Sequence, residues 1–151
     1  METPPVANSD EVVVDTTVLV GANSILTERP KSNSKFQRRL NLLTKIRKGS
    51  FAVLISEKLL QEYQEKIPMP RNDFVIAFFK IIDSKGAISN YSQWRHNDIA
   101  KARECRYPRH DDHILRTAWR DHPTTIVTED GRMLGSGDCI YREFRVRIQD
   151  V

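Results

Sequence analysis

The stretch Glu11-Val12-Val13-Val14-Asp15-Thr16-Thr17-Val18-Leu19 decides the fold. Three consecutive β-branched valines with no polar alternation read as a short strand buried on both faces, the pattern of a parallel sheet. An aspartate breaks the apolar run where that strand should end. In open α/β sheets ligands bind at the carboxyl ends of the strands, so Asp15 is expected on the functional edge. Capping the next helix is the plainer use of Asp15, and this stretch alone does not separate the two.

Working outward, residues 1–10 read as a short loose leader and 11–151 as a single domain. Val18 to Leu26 is expected as a short helix, and Glu28 to Ser34 as a loop. Ser34 should cap a helix from Lys35 to Lys48, closed by Gly49, with Phe36, Leu40 and Leu43 on its inner face. Arg38, Lys45 and Lys48 then project from the opposite face. Phe51 to Ile55 is a second buried strand, followed by Ser56 as a cap and a helix from Glu57 to about Lys66. Asn72 or Asp73 should cap an apolar helix carrying Phe74, Val75, Phe78, Phe79, Ile81 and Ile82. That helix is apolar around enough of its circumference to suggest a second copy of the chain or another protein against it. Ala87-Ile88-Ser89 is a weaker strand, and Gln93 to Arg109 has no assigned structure. Asp111 to about Arg120 reads as helix and Thr125 to Thr128 as a strand. Phe144-Arg145-Val146-Arg147-Ile148 alternates apolar and basic like an edge strand. Strands alternating with helices at this spacing predict a parallel, doubly wound sheet.

Composition narrows the function. With 24 Lys and Arg against 20 Asp and Glu, the net charge is +4 and the isoelectric point about 9.2, which favours a polyanionic partner. Cys105 and Cys139 lack CxxC spacing, so the sequence suggests plain thiols in a reduced, cytoplasmic setting. Residues 1–10 lack the basic and apolar regions of a signal peptide, and no apolar run approaches a membrane span. Phosphate loops, dinucleotide fingerprints, zinc-protease motifs and hydrolase elbows do not occur. His110 and His113 have a spacing that could face zinc, but no third soft ligand lies nearby in sequence.

Four acids fall where the carboxyl edge should be. Asp15 ends the first strand, and Glu62 sits nearly two turns into the helix after the second. Asp111 opens a later helix, and Asp130 follows the strand Thr125 to Thr128. Each has an ordinary structural use, as a surface glutamate, a helix-dipole partner or a turn residue. Together they would repel one another unless a cation sat among them. Hard divalent ions such as Mg²⁺ or Mn²⁺ choose such oxygens, and beside a basic surface they suit phosphodiester hydrolysis.

In Val14-Asp15-Thr16-Thr17-Val18-Leu19, Ser56 to Tyr63, Asp111-Asp112-His113-Ile114-Leu115 and Val127-Thr128-Glu129-Asp130, the chain resembles the PIN-domain nucleases. The resemblance spans about Glu11 to Ile148, and is greatest to the prokaryotic VapC-like branch of toxin–antitoxin pairs. It implies a three-layer α/β/α fold with a central, mostly parallel sheet of about five strands. It also implies catalytic Asp15, Glu62, Asp111 and Asp130, with Asp15, Asp111, Asp112 and Asp130 on Mg²⁺ or Mn²⁺. Thr17 and Thr128 would support the acids. The implied activity is hydrolysis of single-stranded or looped RNA, with Arg38, Lys45 and Lys48 proposed from the helix pattern as its track and an antitoxin protein as partner. The sequence departs from the family at Thr17, where Asn or Ser is usual, and at Arg132, where many relatives carry a further acid. Arg106-Tyr107-Pro108-Arg109-His110 is basic where relatives tend to be acidic. A noncatalytic PIN-like module that binds RNA or protein is the competing reading, and a flavodoxin-like signalling receiver a weaker third.

Overall fold

A computed structural model describes residues 10–24, 34–85 and 92–151. The expected leader, apart from Asp10, lies outside the described residues. So do the loop up to residue 33 and the weak strand Ala87-Ile88-Ser89.

Four strands form one sheet among the described residues: β1 (Asp10–Val14), β2 (Phe51–Val53), β3 (Thr124–Val127) and β4 (Val146–Gln149). Their order is β2-β1-β3-β4 and every pairing is parallel. Of about five expected strands these four are seen, and the remaining one, Ala87-Ile88-Ser89, lies outside the described residues. Val12, Val13 and Val14 are at most 2% exposed, as a central strand covered on both faces requires. Each such side chain stabilises the fold by about 1.5–3 kcal/mol.

Between β1 and β2 run α1 (Thr16–Asn23) and α2 (Lys35–Arg47). Between β2 and β3 come α3 (Glu57–Lys66), α4 (Asp73–Lys85), α5 (His96–Glu104), a 3₁₀ turn (Arg109–Asp111) and α6 (Asp112–Ala118). Short α7 (Gly131–Gly135) and α8 (Gly137–Phe144) lead into β4. The chain moves outward from β1 to β2, then back past β1 to β3 and on to β4. Right-handed crossovers therefore place α1 and α2 on one face, and α6 and α8 on the other. The result is a three-layer α/β/α sandwich.

Local chemistry explains most boundaries. Ser34 Oγ accepts from Gln37 N at 3.0 Å, and Ser56 Oγ from Leu59 N at 3.3 Å, each starting a helix as its cap. Asn72 Oδ1 accepts from Phe74 N at 2.9 Å, which makes Asn72 the cap of α4. Gly49, at φ 81°, turns the chain out of α2 in a conformation that favours glycine. On α4, Val75, Phe78 and Ile82 are buried, and Tyr63, Phe78 and Phe79 meet edge to face.

Two expectations are overturned. Phe144 does not open the last strand but closes α8, and Arg145 at φ 60° turns the chain into β4. Phe144 is buried against Trp94 and Trp119, with ring centroids 5.7 and 5.2 Å away. Cys105 and Cys139 are not plain thiols but a disulfide with Cα atoms 5.3 Å apart, tying the end of α5 to α8. No helix of the described residues is long and apolar enough to cross a membrane.

Candidate metal centre

The strand order reverses direction between β1 and β3, and a crevice is expected outside the carboxyl ends of those two strands. Asp15 follows β1 directly, and its backbone N–H donates to the Val127 carbonyl at 2.9 Å. The residue is 4% exposed. Its Oδ2 accepts hydroxyl hydrogen bonds from Thr17 at 2.8 Å and Thr128 at 2.6 Å. Its side chain caps nothing at the start of α1, so the plainer helix-cap use does not hold. Burial pushes the Asp15 carboxyl up from its ordinary value, the two threonine hydroxyls oppose that, and the charge of Glu62 adds to it.

Glu62 reaches the edge from α3. Thr16 donates its hydroxyl to Oε2, and His113 Nε2 lies 3.3 Å from Oε1. That imidazole nitrogen is buried and Glu62 is its nearest acid, although the contact falls short of regular hydrogen-bond geometry. Burial works to raise the Glu62 carboxyl, but His113, Thr16 and Lys66 together hold it below its ordinary value. Tyr63, next on α3, donates its hydroxyl to the Val14 carbonyl and locks the helix to the end of β1.

Asp111 ends the 3₁₀ turn and is 7% exposed. Burial first, then the charge of Asp15, pushes its carboxyl up to about 6; Asp130 adds to this, while His110 and His113 oppose it. Asp130 caps α7, its Oδ1 accepting from Arg132 N at 2.8 Å. His110, Asp111 and Asp130 each offer a ligand atom, and these atoms lie within 4.8 Å of one another. The fold thus brings Asp15, Glu62, Asp111 and Asp130 to one edge as a chain of mutually repelling carboxylates.

Asp112 stands apart. Its Oδ1 pairs with the Arg103 guanidinium, so of the two adjacent acids Asp111 is the one turned to the edge. Arg38, Lys45 and Lys48 are all exposed. Arg38 and Lys45 line a cleft of about 390 Å³ with Arg147, Asn41 and Gln149, while Lys48 ends α2 beyond it.

Several contacts had no signal in the sequence. Glu129 is gripped by Arg39 through two 2.7 Å hydrogen bonds and by Lys35 at 3.1 Å. The Arg39 guanidinium lies over Gly21, where an added Cβ would come within 2.5 Å of it. Thr16, His110 and His113 also join the site. Thr16 is adjacent to Asp15 and His110 to Asp111, and the spacing of His110 and His113 marks both rings as possible ligands in the sequence itself.

An oxygen-rich set with two buried members, in which Glu62 raises the proton affinity of Asp15, and Asp15 and Asp130 that of Asp111, fits a hard divalent cation. Comparison with protein-family models, curated proteins and solved structures returned no match for this chain. Fold and site define it as an α/β/α protein with an acidic centre at the switch point of a parallel sheet.

Proposed function

We propose that this chain is a metal-dependent endoribonuclease of PIN-like design, the toxin of a toxin–antitoxin pair. The observation that carries the reading is Asp15. It is a buried carboxylate fixed by two threonine hydroxyls, beside a buried Asp111 that already holds its proton more tightly. Asp15, Asp111 and Asp130 would hold the ion, with Glu62 beside Asp15. Thr17 and Thr128 donate to Asp15 Oδ2, which keeps its remaining lone pairs directed by the fold. Bound there, Mg²⁺ or Mn²⁺ would supply Lewis acidity to a phosphodiester and a water of lowered pKa. Arg38 and Lys45, with Lys48, would neutralise backbone phosphates without reading sequence. A cytoplasmic setting belongs to the same proposal, and there the Cys105–Cys139 pair would meet reducing conditions.

The test is cleavage of a single-stranded RNA with and without added Mn²⁺ or Mg²⁺. Wild-type protein should cut only with metal, and Asp15→Asn should bind RNA but not cut it. An Asp15→Asn protein that cleaves at the wild-type rate would end the catalytic reading. RNA binding with no cleavage at any metal concentration would favour the noncatalytic module.

A further inference from the structure

The Asp111 end of the site carries a nitrogen donor as well as carboxylates. His110, Asp111 and Asp130 come from two separate segments, the 3₁₀ turn and the cap of α7, yet their ligand atoms lie within 4.8 Å of one another. The backbone of the turn is pinned. Asp111 N donates to the Pro108 carbonyl at 3.0 Å, and the buried Tyr107 hydroxyl donates to the Asp111 carbonyl at 2.8 Å. On this fixed turn the His110 ring is 70% exposed, with Nε2 3.4 Å from Asp111 Oδ2. It can turn toward an ion without displacing packed neighbours.

A second observation is independent of the cluster's spacing. The side chain of Asp111 is nine-tenths buried, and its only ion-pair partner among the described residues is His110. A carboxylate so placed costs free energy unless charge or hydrogen bonds compensate it. Asp130 accepts from the Arg132 N–H through Oδ1, and one oxygen of its carboxylate lies within 4.8 Å of the ligand atoms of the pair.

Mg²⁺ takes oxygen ligands and keeps several waters, whereas imidazole suits first-row transition ions. We propose that His110 is a nitrogen ligand beside Asp111 and Asp130, and that the centre selects a divalent transition ion over Mg²⁺. This rests on the nuclease reading for the presence of a metal and narrows which metal it is. The competing arrangement is a plain His110–Asp111 ion pair with the metal held by oxygens alone.

Mn²⁺ is the probe, read by electron paramagnetic resonance. Its binding is titrated in competition with Mg²⁺, and the spin echo is examined for ¹⁴N coupling. Wild-type protein should show coupling to one imidazole nitrogen and prefer Mn²⁺. His110→Ala removes an exposed ring, so the fold should persist. The ¹⁴N coupling should vanish, and Mn²⁺ affinity should fall by at least the roughly tenfold that even an outer partner of a ligand costs. Mg²⁺ affinity should stay nearly unchanged. Bound Mn²⁺ without ¹⁴N coupling overturns the inference, as does coupling that survives in His110→Ala, which would point to His113. In both cases metal-dependent RNA cleavage would still stand. If wild-type protein binds no Mn²⁺, this inference falls; the nuclease reading falls with it only if Mg²⁺ also fails to support RNA cleavage.

Discussion

Twice in this chain two neighbouring acids meet opposite fates. Asp112 is paired with Arg103, and Glu129 is gripped by Arg39 and Lys35. Asp111 and Asp130, each one residue away, turn to the carboxyl edge. There no lysine or arginine comes within ion-pair distance of them among the described residues. With 24 Lys and Arg the chain has no shortage of cations. The difference teaches that the rim of the site is neutralised from within and its centre is not. Rim pairs should hold the fold together, while Asp15 and Asp111, both pushed up by burial and by neighbouring acids, should strain it until a divalent ion balances them.

The largest expected effect breaks the rim. Glu129 has a side chain only 8% exposed, and burial raises its carboxyl while Arg39 and Lys35 more than reverse this. Arg39→Ala leaves that buried charge with the more exposed Lys35 alone. It should cost on the order of 3 kcal/mol in urea unfolding. Arg39→Lys should recover only part of this, since the two-pronged grip is lost. A negligible cost for Arg39→Ala would erase the distinction between rim and centre.

The centre should respond with the opposite sign. Asp111 binds its proton more tightly folded, at about 6, than the ordinary 3.8 expected unfolded. Its contribution to stability is therefore fully present below 3.8 and is lost as pH rises through 6. Metal-free wild-type protein should gain stability relative to Asp111→Asn as pH falls from 7 to 5. Glu62 and Glu129, held below their ordinary values, lose their contribution in acid and work against the trend in both proteins. The difference between the two melting curves reports Asp111 together with its interaction with Asp15, and should be on the order of 1 kcal/mol. Parallel pH profiles would show that Asp111 carries no strain.

How much of this was legible depends on how local the signal was. The valine run, Ser34, Ser56 and Asn72 act within four residues of themselves, so the first strand and three helix starts could be read directly. Asp15, Glu62, Asp111 and Asp130 could be placed because each follows or opens such an element. The grip of Arg39 on Glu129 joins residues 90 apart and leaves no local trace. The same holds for the disulfide across 34 residues. Phe144 was misread because its alternation with Arg145 and Val146 suits a strand. Packing between Trp94 and Trp119 won, together with the left-handed turn at Arg145. The choice of Asp111 over Asp112 needed Arg103, which comes from a helix the sequence left unassigned.

The smallest effect on stability is expected on α2, where Arg38 lies beside Arg39 but faces solvent. Changing Arg38, Lys45 and Lys48 together to Gln should move the melting temperature only a little, because helix propensity is kept and no ion pair among the described residues is broken; what is lost is the exposed contact of Lys45 Nζ over the Phe51 ring, 5.6 Å from its centroid. RNA binding should weaken, and the slope of log affinity against log salt should become shallower by about 2. An unchanged slope would make this face a solvated surface only.

The most direct test compares thermal melts of wild-type protein and Asp15→Asn with and without Mn²⁺. Asn can still accept from Thr17 and Thr128, so the substitution removes charge and little else. Without metal, Asp15→Asn should melt a few degrees above wild type. With Mn²⁺, wild-type protein should gain stability in proportion to RT ln(1 + [Mn²⁺]/Kd), and the variant should gain far less. Equal Mn²⁺ responses in the two proteins, with Asp15→Asn the less stable when metal-free, would contradict the account.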